Sequence, residues 1–91
     1  MEIIIKAIIV HSIDSIQELN IKVTDENFLI VRKRLELEYQ KIVEILKNLK
    51  DSGAIKSIFI PKNKKIQKEL NTLITQKRQL KNSIEKIKAV F

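Results

Sequence analysis

The amino-acid sequence predicts an α+β fold in the order β-β-α-β-α: a three-stranded sheet of strand order 2-1-3 carrying two long helices, the second of coiled-coil type. Three observations predict it. Residues 2–10 are an isoleucine-rich run that is apolar on both faces, residues 18–23 alternate strictly, and two long segments either side of Gly53 carry apolar residues at helical spacing. The 91 residues suffice for one domain and not for two. The expected organisation is a single domain, 1–91, with an α+β core over 1–60 and a basic heptad helix over 61–91.

The first strand rests on Ile3, Ile5, Ala7 and Ile9 on one face and Ile4, Ile8 and Val10 on the other. Isoleucine and valine suit a pleated surface, and apolar residues on both faces suit a central strand. Glu2 and Lys6 inside the run argue against a secretory leader, and ten residues are about half of a membrane span. His11, Ser12, Asp14 and Ser15 then supply turn chemistry. In the second strand Leu19, Ile21 and Val23 share one side, while Glu18, Asn20 and Lys22 share the other. This pattern fits a half-buried partner lying antiparallel to the first strand.

Thr24 is expected to cap the first helix, with Asp25 and Glu26 complementing the positive end of its dipole. Phe28, Leu35, Ile42 and Leu49 recur at seven-residue intervals, and Leu29, Val31, Tyr39, Val43, Ile45 and Leu46 widen the stripe. An arc this broad needs two neighbours. Gly53, the sole glycine, is the expected stop. A third strand over 54–60, ended by Pro61, completes the predicted sheet.

The second helix is predicted from about Lys62 to the end. Ile66, Leu70, Leu73, Leu80, Ile84, Ile87 and Phe91 step by four and three, interrupted at Lys77. This narrow seam is the coiled-coil pattern. It serves equally as core beneath the first helix or as a seam for an oligomer or protein partner. Surplus apolar surface makes a homo-oligomer the expectation, with a dimer favoured.

Composition excludes several chemistries. There is no cysteine, hence no disulfide, thiolate metal site or thiol nucleophile, and a lone histidine builds no imidazole cluster. One glycine leaves no phosphate-cradling loop. His11, Ser12 and Asp14 crowd one turn, whereas a triad converges from separate elements. Glu36 and Glu38 point in different directions on a helix, and pair better as Arg32–Glu36 and Arg34–Glu38. No catalytic residue, metal or cofactor is therefore expected, and the chain reads as a non-enzyme. Isoleucine (18 residues) and lysine (15, against 3 arginines) dominate, a bias shared by AT-rich genomes and thermophilic sources.

The net charge of +7 is unevenly placed. Residues 1–60 balance nine basic against nine acidic side chains, so the surplus falls on 61–91. Lys62, Lys64, Lys65, Lys68, Arg78, Lys81, Lys86 and Lys88 are the candidate phosphate contacts there. They scatter around the helix, which suits sequence-blind attraction to nucleic acid, and four aromatics in the whole chain offer little base stacking.

Over residues 7–66 the order of motifs resembles part of the apical domain of group II chaperonins. The residues that carry the likeness are Asn20 to Asp25, then Phe28 and Leu29, then Leu46, Leu49, Gly53 and Ala54, and finally Ile58, Phe59, Pro61 and Lys62. The chain departs from that family in its residue spacing, in the long basic helix that replaces a short one, and in having no ATP-binding domain. The resemblance implies polypeptide binding without ATPase activity. The leading expectation is a cytoplasmic protein-interaction and assembly module that self-associates through its long helices and binds a protein partner away from membranes. The alternative is sequence-nonspecific nucleic-acid binding through 61–91.

Overall fold

A computed structural model describes residues 1–12, 15–51 and 64–91, the side chains of 64–66 excepted. The elements are β1 (Glu2–Ser12), β2 (Ser15–Thr24), α1 (Phe28–Asp51) and α2 (Lys64–Val90). The strands pair antiparallel from Glu2↔Thr24 to Val10↔Ile16, and an irregularity between Val10 and Ser12 shifts the final pair to Ser12↔Ser15. Leu19, Ile21 and Val23 turn inward from β2, while Glu18, Asn20 and Lys22 face solvent, as alternation requires.

Among the described residues the sheet has two strands in the order β1-β2, which corrects the three-stranded 2-1-3 expectation. The segment expected to form the third strand, 54–60, lies outside the described residues, as does Gly53. Helix side chains take up backbone groups of β1 to which a further strand could bond. The Val10 amide donates to Glu38 Oε2 at 2.8 Å, and Ser83 Oγ donates to the Lys6 carbonyl at 2.7 Å. These backbone groups lie four residues apart, and groups at even separations share one edge of an extended strand. Two side chains, one from each helix, thus satisfy part of what a third strand would.

The start of α1 is also corrected. Thr24 heads a turn, its hydroxyl accepting from the Glu26 amide at 3.3 Å, and Asn27 is the residue that begins the helix. The Asn27 carbonyl accepts the Val31 amide at 3.0 Å. Its side chain reaches backward, accepting from the Thr24 amide at 2.7 Å and donating to the Lys22 carbonyl at 3.1 Å. Asn27 therefore locks the strand-to-helix corner, because its amide group offers donor and acceptor together, where the threonine hydroxyl reaches only the next turn.

The helices, about 36 and 40 Å long at 1.5 Å per residue, lie antiparallel. Phe28 at the start of α1 stacks on Phe91 beyond the end of α2, with ring centroids 5.1 Å apart and planes 8° apart. Midway along the pair, Lys77 Nζ sits 5.7 Å from the Tyr39 ring centroid. This contact accounts for the lysine that interrupts the apolar seam: the stem lies along the core and the ammonium meets an aromatic face.

Both helices touch β1, and α1 also meets β2. Ile5 and Ala7 are buried on one side of β1 and Ile8 and Val10 on the other, while Ile4 stays 66% exposed. Around them close Val23, Leu35, Ile42, Leu73, Leu80 and Ile87. A two-stranded hairpin is marginal on its own, so this one depends on the helix pair for its stability.

Candidate functional site

The heptad seam is part of the chain's own core. Leu70, Leu73, Leu80, Ile84 and Ile87 are buried, Phe91 is half-buried against Phe28, and the side chain of Ile66 lies outside the described residues. The seam meets β1 and α1, so its apolar ridge is covered within one chain.

What α2 presents to solvent is charge. Lys68, Arg78, Lys81, Lys86 and Lys88 are exposed, and none forms an ion pair with another described residue. Lys62 lies outside the described residues, and Lys64 and Lys65 belong to the first turn of α2. Lys68 and Lys86 are about five helical turns apart and point the same way. Arg78 lies about 80° round the helix from them and Lys81 and Lys88 about 140–160° round, so the cations are spread about α2 and span roughly 30 Å of its length. Between them, Gln67, Asn71, Thr72, Thr75 and Gln76 line a shallow polar hollow with Lys68. Thr72 and Thr75 already donate to the carbonyls of Lys68 and Asn71, at 2.9 and 3.0 Å, and the Gln76 amide is engaged by Glu18.

Acids elsewhere are largely matched. Glu2 pairs with Lys22 at 3.1 Å, Glu18 with Lys6 at 3.6 Å and Glu36 with Arg32 at 3.7 Å. Glu18 also accepts from Gln76 Nε2 at 3.0 Å, tying β2 to α2. Local pairing on the hairpin and α1 leaves the surplus positive charge of the described chain on α2.

Glu38 is the site residue that reading the sequence placed only in part. The Arg34–Glu38 pair forms at 3.1 Å, as its i,i+4 spacing indicates. Its burial is a tertiary outcome: the side chain is 0% exposed, and Lys41 Nζ adds a second contact to Oε1 at 2.8 Å. Burial pushes the carboxyl up, yet the Lys41 and Val10 hydrogen bonds and the charges of Lys41 and Arg34 outweigh it and hold the group below its ordinary value. Glu38 stays ionised and fully engaged, a structural anchor whose lone pairs are not offered to a substrate.

His11 is exposed and borders a hollow with Lys41, Glu44 and Asn48, while Asp14 lies outside the described residues. Ser12 is at the end of β1. Among the described residues no cluster of three histidine, aspartate or glutamate side chains could hold a metal ion, and no helix is long and apolar enough to cross a membrane.

One feature of α1 escaped the sequence reading. Leu29, expected to widen the core-facing stripe, is instead 50% exposed, and Ile30 and Leu37, outside that stripe, are 73% and 62% exposed, on the side of the helix away from the core. The spacing of Ile30 and Leu37 by one heptad was the available clue, masked by the stronger stripe through Leu35 and Ile42. The likeness to group II chaperonins rests on its sequence motifs alone, several of them in the undescribed 52–63 segment. Comparison with protein-family models, with curated proteins and with solved structures gives no match.

Proposed function

We propose that the chain is a non-enzymatic nucleic-acid-associated protein that attracts the phosphate backbone through the exposed cations of α2. The observation that carries this reading is the set of five exposed cations on one helix, none of them ion-paired within the described residues. Unpaired lysines and arginines on a rigid rod release counterions when they meet phosphates, and that release drives sequence-independent binding. Phe91, at the end of α2, is stacked on Phe28, and Tyr39 is taken up by Lys77, so base stacking adds little. The binding is blind to sequence and sensitive to salt.

The test is a salt titration of a fluorescent duplex. For about four phosphate contacts, affinity falls on the order of 100-fold between 50 and 200 mM salt. Replacing Arg78, Lys81 and Lys88 together with glutamine flattens the log–log slope by about 2 to 3 and leaves the helical spectrum unchanged. Retention of duplex by this triple variant at an unaltered slope would overturn the reading.

Assembly is the second reading, favoured by the exposed Leu29, Ile30 and Leu37. Because the α2 seam is covered inside the chain, the outer face of α1, with three exposed aliphatic side chains, is the candidate surface for assembly.

A further inference from the structure

Ile30, Lys33, Leu37, Gln40, Glu44 and Lys47 follow one another along α1 in steps of three and four, and all six are exposed. They form a second heptad stripe, on the opposite side of the helix from the buried Leu35, Glu38 and Ile42. An outward stripe at this spacing matches the seam of a helix that expects a companion. Neither Lys33 nor Glu44 forms an ion pair within the described residues.

We propose that this outer face of α1 docks a second copy of the chain, the two α1 helices running antiparallel about a two-fold axis level with the Glu38–Tyr39 peptide. The proposal deepens the assembly reading and rests on it; the nucleic-acid reading is independent of both. The order of charges along the stripe selects the partner. In this register Lys33 stands opposite Glu44 of the second copy, and symmetry repeats the pair on the other side of the axis. Leu37 stands opposite Gln40 and, about 4.5 Å along the axis, meets its own symmetry mate. Ile30 lies opposite Lys47, whose methylene stem covers it while the ammonium reaches water.

Sliding one copy by seven residues either way destroys the match. One shift sets Lys33 against Leu37, the other sets Leu37 against Lys47, and in both Glu44 meets no cation of the stripe. Of these three registers the stripe is self-complementary in the first alone, which is what an isologous contact requires of a single patch. With two aliphatic residues among six stripe positions, the dimer is weak and concentration-dependent.

Sedimentation equilibrium on the full chain, at low salt and without nucleic acid, tests the proposal. The unmodified protein shifts from monomer toward dimer as concentration rises. Lys33→Glu alone and Glu44→Lys alone each set like charges together twice across the axis and weaken association about 10-fold or more. The double variant K33E/E44K exchanges the partners and regains the dimer. Both positions are exposed, so circular dichroism finds every variant folded. A monomer at all concentrations overturns the assembly reading at this face. A dimer whose double variant is no tighter than the single ones overturns the register while leaving assembly through α1 in place.

Discussion

The carboxylate of Glu38, a side chain with no exposure to solvent, accepts the backbone amide of Val10 at 2.8 Å. This single bond joins the middle of α1 to the distal half of the hairpin, across 28 residues of sequence. It stands in for one rung that a neighbouring strand would supply, and Lys41 and Arg34 supply the positive charge that keeps the buried carboxylate ionised.

Replacing Glu38 with alanine therefore leaves the Val10 amide without its acceptor and removes the anion that Lys41 and Arg34 hold. The expected loss is about 3 kcal/mol, within the range for breaking a buried hydrogen-bonded charge. Urea denaturation monitored by far-ultraviolet circular dichroism measures it. A loss below about 0.5 kcal/mol, the scale of an ordinary surface change, would show that the bond does not anchor the hairpin.

The same residue gives stability a pH dependence of fixed sign. The folded-state carboxyl lies below its ordinary value of 4.5, so the unfolded chain takes up the proton first. The contribution of Glu38 is fully present above the unfolded value and is lost as pH falls through the lower folded one. Urea midpoints of the parent and of Glu38→Gln, compared from pH 7 downward, converge in acid. Midpoints that diverged on acidification would contradict the sign.

Leu73 and Leu80 are both 0% exposed, in the part of α2 that faces β1 and α1. Truncating either to alanine costs about 2 to 5 kcal/mol through lost burial and the cavity left behind. Aspartate at both positions unfolds the chain, because charge cannot be placed in that core without a partner. The diagnostic is loss of the helical spectrum together with any change in mass; a folded double-aspartate protein would refute the packing.

The Phe28–Phe91 stack clamps the open end of the helix pair. A double-mutant cycle with leucine at each position yields a coupling of about 0.5 to 1.5 kcal/mol. Zero coupling, read from the same urea curves, would mean that the rings merely lie near one another.

Much of this architecture is legible in local pattern. The two-faced run of β1, the alternation of Leu19, Ile21 and Val23, and the heptad steps from Leu70 to Ile87 each state which side of their element meets the core. The intrahelical pairs Arg32–Glu36 and Arg34–Glu38 were equally readable, because a helix sets their spacing. Asn27 was not, since its side chain works backward across a turn where capping rules look forward along the helix. The candidate basic face follows the same division. Its residues are countable in the chain, but their freedom from ion pairs depends on where the acids of β1, β2 and α1 find their own partners.

Periodicity and composition settled the strand or helix character of the four described elements, though not the three-stranded sheet, and also which stripe of α2 is apolar and that the positive surplus lies in the last third. These are properties of neighbours along one chain, enforced by backbone geometry within a few residues. Tertiary structure decided that the α2 ridge packs inside its own chain, that β1 has edge groups held by Glu38 and Ser83, and that Ile30 and Leu37 face outward. Those outcomes depend on how whole elements share a limited apolar surface, and an antiparallel helix pair laid on one hairpin can cover only one side of each helix.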